Sequence, residues 1–329
     1  MGIKYLMIFT LGFTFLYLIS RYYDALDQQL LYFSSYFIGI GFILFSVAVV
    51  YDLSTLLSKK IFSPSTKRKL FIDSAIILLL LAYISIGIFN GQSNPQIQTT
   101  NITIGVKTPL KIVQLSDVHI GNTIKKDFIE NLVQTVNAQK PDLVVLTGDL
   151  IDLEIEKIKH DVAPLKDLKS TYGTYFILGN HEYFHHAKSI VAYLKTLGIK
   201  PLLNESVLIN KQFNLVGLTD YIGYRTNYLA PDVKKAYAHV HPNYPTIVLA
   251  HQPKLLHELL EYKPNLLLSG HTHGGQIFPF GLLVLLDQPY LSGLHKQEQT
   301  QLYISRGTGY WGPPIRLFAP SEISVLNIQ

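Results

Sequence analysis

The chain has no cysteine among its 329 residues, so disulfides and thiolate metal sites are excluded and the redox compartment is left open. Charge is scarce too: Asp, Glu, Lys and Arg make up 16% of the residues, against about a quarter in an ordinary soluble domain. The net charge of +5 is small and unevenly placed. Residues 1–90 carry seven Lys/Arg and four Asp, so +3 lies there and +2 is spread over the rest. That is no nucleic-acid footprint, and no nucleic-acid binding is expected beyond a substrate. Neither an internal repeat nor a low-complexity tract is present.

What the chain has in excess is apolar sequence: 48% of residues are hydrophobic and mean hydropathy is positive. Three long runs open it, Ile3–Ser20, Leu30–Tyr51 and Leu70–Phe89. Each is close to the roughly 20 residues that cross a bilayer core as a helix. The first lacks a small-residue cleavage site and is followed by two more runs, which argues against a signal peptide. The segment Asp52–Lys69 holds Lys59, Lys60, Lys67, Arg68 and Lys69, whereas Arg21–Gln29 holds one Arg and two Asp. The positive-inside bias puts the basic loop in the cytoplasm and everything after Phe89 on the far side. The expectation is a multi-pass anchor over 1–90 in the cell membrane, a polar linker over 91–101, and an extracytoplasmic domain over 102–329. Asp73, one turn from Lys69, reads as a headgroup-level residue.

From Ile102 short β-like runs alternate with helical ones. Strands are expected at 111–116, 142–147, 174–178, 213–218, 246–250 and 266–268, with further short ones near 302–305 and 322–328, and helices at 125–139 and 187–197. The runs end on metal-type side chains: Asp117-Val-His119, Gly148-Asp149, Gly179-Asn180-His181, His251, and Gly270-His271-Thr-His273-Gly-Gly. Open α/β sheets place their ligands at such strand C-termini. Asp117, His119, Asp149, Asn180, His251, His271 and His273 are too many for one tetrahedral zinc. Their mixed nitrogen and oxygen donors suit two divalent ions such as Mn, Fe or Zn. A two-ion site clamps the attacking and leaving oxygens of a phosphoryl group and acidifies a water. Asp149, following a glycine and with no ligand beside it, is the candidate to bridge the ions.

At this point the chain resembles the calcineurin-like metallophosphoesterases. Asp117-Val-His119, Gly148-Asp149-Leu-Ile-Asp152, Gly179-Asn180-His181-Glu182, His251 and Gly270-His271-Thr-His273 match that family's five blocks in order, and Gly270–Gln276 with Ser305–Gly309 is most similar to its membrane-anchored bacterial branch. The resemblance spans about 102–329. It implies a four-layer α/β/β/α sandwich hydrolysing a phosphomonoester, phosphodiester or pyrophosphate bond of a small-molecule or lipid substrate. It implies one ion on Asp117, His119, Asp149 and His273, and another on Asp149, Asn180, His251 and His271. His181 would touch the phosphate and protonate the leaving oxygen, oriented by Asp152. The Arg-Gly that often follows the second block in protein phosphatases is Leu153-Glu154 here, which speaks against phosphoprotein substrates. If the domain were cytoplasmic, a nucleotide-linked lipid pyrophosphate would be the alternative substrate.

Two other readings compete. His181-Glu182-Tyr-Phe-His185 spells the zincin H-E-x-x-H, which needs both histidines on one helical face; Gly179-Asn180 after a strand puts His181 on a turn instead. A non-catalytic binding module would be expected to lack a ligand or His181, and neither is missing. His185 and His186 read as rim residues, and His160, His239, His241, His257 and His295 as surface ones. Arg306 is either a phosphate-facing cation or a structural residue. Asp220 and the loop Tyr221–Leu229 either shape the pocket, meet the membrane interface or pack on their own domain.

Overall fold

A computed structural model describes residues 11–17, 28–58 and 66–329. Residues 11–17 are helical, and the rest of the first expected span lies outside the described residues, as do Lys59 and Lys60. The second and third runs form the helices α1 (Gln28–Ser58) and α2 (Thr66–Gln92), longer at both ends than their apolar stretches. Among the described residues these two are long and apolar enough to cross a membrane, over Tyr32–Ser54 and Leu70–Gln92. Tyr51 donates to Asp73 across the pair (2.9 Å), and Gln92 donates to the Tyr36 hydroxyl at the other end (2.6 Å). The chain divides into two units; α1 and α2 share theirs with two distant segments, Gln276–Phe280 and Gly312–Pro320.

The second unit is built on twelve strands: β1 (Gln96–Ile102), β2 (Leu110–Leu115), β3 (Leu143–Thr147), β4 (Thr174–Ile177), β5 (Lys200–Pro201), β6 (Glu205–Ile209), β7 (Phe213–Gly217), β8 (Thr246–Leu249), β9 (Leu266–Ser269), β10 (Gly293–Gln297), β11 (Thr300–Ile304) and β12 (Glu322–Ile328). They form two six-stranded sheets, ordered β1-β12-β2-β3-β4-β5 and β10-β11-β9-β8-β7-β6. β2 to β5 run parallel, as do β7, β8, β9 and β11. The segment expected as a linker is a strand from Gln96 onward, paired in parallel along its whole length with β12. One side of its backbone is hydrogen-bonded to β12, and the other forms an edge of the sheet.

The central strands read as unbroken apolar runs because both faces are covered. Val144 and Leu146 of β3 face one side, packing with Ile129, Val133 and Val136 of α3 (Lys126–Ala138). Those α3 positions follow the i, i+4, i+7 spacing of a buried helical face. Leu143 and Val145 face the other way, against Leu249, Leu266 and Leu268 of the second sheet. Val248 and Leu267 pack outward on Leu255, Leu256 and Leu259. Three apolar cores between four layers make this the α/β/β/α sandwich.

Candidate metal centre

The expected site residues all lie just past strand C-termini: Asp117 and His119 after β2, Asp149 and Asp152 after β3, Asn180 and His181 after β4, His251 after β8, and His271 and His273 after β9. Both sheets present these ends to one region. Asp117 N–H donates to the Gly148 carbonyl and His119 N–H to the Asp149 carbonyl, each at 3.0 Å, so the first two loops are laced together.

Asp117, His119, Asp149, His271 and His273 all have φ between 50° and 70°, a left-handed conformation that non-glycine residues rarely adopt. Such backbone persists only where the surroundings over-determine it, and it clusters at functional sites. Gly179 is there for room: a Cβ on it would lie 2.2 Å from Asp149 Oδ1.

The side chains converge in three groups: Asp117, His119 and His273; Asp149, His251 and His271; and His119, Asp152 and His181. His119 Nε2 and His273 Nε2 are 3.1 Å apart, and His273 Nε2 is 3.5 Å from Asp117 Oδ1. His251 Nδ1 donates to the Thr147 carbonyl (2.8 Å), which turns Nε2 inward. There it lies 3.2 Å from Asp149 Oδ2 yet without hydrogen-bond alignment, and Asn180 Oδ1 is also buried without a hydrogen-bond partner. An unmet buried polar atom costs about 1–3 kcal/mol. Two such atoms among converging carboxylates and imidazoles are what ligands of a shared cation look like, so the donor set fits divalent metal.

Electrostatics agree. Burial pushes the His119 and His271 imidazoles down to about 3, so both are neutral, the form that binds metal. Burial pushes Asp117 up to about 6, with the Asp149 charge adding to it. Burial also acts on Asp149 and His251, but their mutual attraction wins: the carboxyl is held low and the imidazole high. A cation held between the two would bind the imidazole in its neutral form beside the carboxylate.

His181 stands apart from this set. Its Nδ1 donates to Asp152 Oδ1 at 2.5 Å, and its Nε2 faces Asp149 Oδ2 at 3.9 Å. Asp152 is largely buried, yet the hydrogen bond from His181, with His185 close by, holds its carboxyl well below the usual range. His185, expected at the rim, belongs to this cluster, 3.7 Å from the same carboxylate oxygen. The His181 ring is flanked by Phe184 (6.0 Å) and Trp311 (6.4 Å), both exposed.

Sequence reasoning missed Glu182 as part of the site. It is fully buried and accepts from four backbone amides: Gly179 (2.7 Å), Asp149 (3.0 Å), Leu150 (2.8 Å) and Ile151 (2.9 Å). One carboxylate thus locks the loop carrying Asp149 to the turn carrying Asn180. The available signal was its place at the third position of the short helix Asn180–Phe184, where a Glu reaches back to the cap amide. With all its contacts internal, Glu182 is not placed as the water-activating base that the zincin pattern requires.

The remaining candidates are structural. Arg306 Nε donates to the buried Glu322 (2.6 Å), which also accepts from Tyr303 and Ser324. Asp220 is buried, accepts from the Ile222 amide and from Gln252 next to His251, and is pushed by burial up to about 6. The loop after it packs on its own domain: Tyr224 donates to Glu258, and Lys254 lies over the Tyr221 ring. His160, His239, His241 and His257 are exposed, and His295 is half-buried, stacked on Tyr290.

Residues 110–275 match the family model for calcineurin-like phosphoesterases. An uncharacterized metallophosphoesterase of Helicobacter pylori is 43% identical over 295 residues, which is 88% of this chain and 80% of that protein. A bovine transmembrane protein with metallophosphoesterase domain is 37% identical over 282 residues, 80% of this chain and 64% of its own length.

Proposed function

This chain belongs to the calcineurin-like phosphoesterase family and is a phosphoester hydrolase, and we propose that it is membrane-anchored, works with two divalent ions, and carries its catalytic domain outside the cytoplasm. The observation that carries the reading is the convergence of the Asp117 and Asp149 groups, with the buried atoms His251 Nε2 and Asn180 Oδ1 lacking a hydrogen-bond partner. One ion would be held by Asp117, His119, Asp149 and His273, the other by Asp149, Asn180, His251 and His271, and the donor chemistry suits Mn, Fe or Zn. When bound, they supply Lewis acidity toward the phosphoryl oxygens and make a water acidic.

The chain's own groups do the rest. Glu182 holds Asp149 and Asn180 at a fixed separation. Asp152 keeps the His181 Nδ1 proton in place and stabilises the imidazolium form, so His181 Nε2 can give a proton to the departing oxygen. Metal analysis of purified protein is expected to give about two ions per chain, as a two-metal site requires. A single tightly held zinc would sink this reading and revive the zincin one.

Two helices of membrane-spanning length and the transmembrane relative support the anchoring. The orientation rests on the Lys/Arg excess in Asp52–Lys69. An alkaline phosphatase fused after Gln329 is expected to be active and a cytoplasmic fluorescent reporter dark. The reverse pattern overturns the orientation and favours a nucleotide-linked lipid pyrophosphate as substrate.

A further inference from the structure

Gly39 on α1 and the Gly87-x-x-x-Gly91 pair on α2 are small residues of the kind that let a second helix approach closely in a membrane. Here the space over them is filled by loop. A Cβ on Gly39 would lie 2.8 Å from Ile315 Cδ1, one on Gly87 2.8 Å from Ile315 Cγ2, and one on Gly91 2.1 Å from the Pro314 carbonyl oxygen. Ile277, Ile315 and Leu317 are buried with Ile43, against Ile40, Leu80 and Ile84 of the helices. Leu80 precedes the helix end at Gln92 by twelve residues, about 18 Å of helix. Counted from Phe89, the last residue of the apolar run, the depth is about 14 Å, close to the middle of a core of about 30 Å.

Irregular backbone survives at such depth only if the protein itself satisfies it. These segments meet that condition. Arg316 N–H donates to the Gly87 carbonyl (2.9 Å), Leu317 N–H to Gln276 (2.8 Å) and Phe280 N–H to Ile277 (2.8 Å). Gln276 Nε2 donates to Pro313 and the Tyr83 hydroxyl to Phe278. Pro279, Pro313, Pro314 and Pro320 have no N–H to satisfy. The Arg316 guanidinium is fully buried and donates to Ala319. Outward, the unit shows apolar rings: Phe278 and Phe318 are 52% and 79% exposed, like Phe45 and Phe89 of the helices at 67% and 73%. Bare apolar surface of that kind is at home against lipid, and it is continuous with helices of membrane-spanning length.

We propose that Gln276–Phe280 and Gly312–Pro320 lie within the bilayer against α1 and α2.

The absence of native cysteine makes the test clean. Phe278→Cys and Phe318→Cys, each carrying bimane in lipid nanodiscs, are expected to be quenched by doxyl groups on the acyl chains and not by aqueous iodide. Lys211→Cys, on an exposed turn of the catalytic domain, is expected to do the opposite. Iodide quenching at 278 and 318 without doxyl quenching overturns the embedding.

Discussion

Asp149→Asn is expected to remove at least one of two ions per chain and to lower activity on a soluble phosphodiester by about a thousandfold or more. The substitution keeps size and shape but takes away the charge that faces His251 at 3.2 Å and His181 at 3.9 Å. Its amide group can still accept the His181 amide proton that Asp149 Oδ1 now accepts at 2.8 Å. The loop is therefore expected to hold, because Glu182 grips its backbone independently. What goes is the negative oxygen between two groups of ligands. Ion-based charge stabilisation is worth several kcal/mol, and each 1.36 kcal/mol is about tenfold in rate, hence the size of the effect. Metal content by plasma emission, far-ultraviolet circular dichroism and turnover would be read on the same sample. Full metal content with near wild-type turnover would falsify the bridging assignment.

His181→Ala separates proton donation from metal binding. Both ions are expected to stay bound, since the imidazole is tied to Asp152 rather than to the ligand groups of Asp117 and Asp149. Turnover of an alkyl phosphoester should drop by about 10²–10⁴, the range for a lost general acid. For a nitrophenyl ester, whose leaving group departs without a proton, the drop should be much smaller. His271→Ala, by contrast, should loosen an ion and slow every substrate alike. Metal loss in His181→Ala would move that residue to the ligand set. An equal drop on all leaving groups would make it a stabiliser of the phosphoryl charge instead of an acid.

Much of the catalytic domain could be read from sequence because parallel strands buried on both faces leave a plain mark. Leu143–Thr147 and Leu266–Ser269 are buried throughout, apolar up to a final Thr or Ser, and stop at turn residues bearing the polar groups. β1 left no such mark. Gln-Ile-Gln-Thr-Thr-Asn-Ile is largely exposed, and its pairing with β12 is more than two hundred residues away, beyond the reach of any local pattern. The seven ligand-type residues were visible because five blocks carried them in order. Glu182 was hidden by its own success: its partners are backbone amides, which every residue but proline has, so nothing in the sequence marks them as its partners. The segment Gly312–Pro320 reads as an ordinary loop, and three glycines in apolar helices do not say what will cover them.

The position of β12 in the first sheet has a consequence for how the protein is made. It lies between β1 and β2, parallel to one and antiparallel to the other. Every other strand is synthesised before it, so β1 and β2 wait as unjoined edges until the insert between them arrives. Pairings this distant in sequence close slowly. The first sheet therefore stays incomplete until β12 has been made, long after α1 and α2 are available to enter a bilayer.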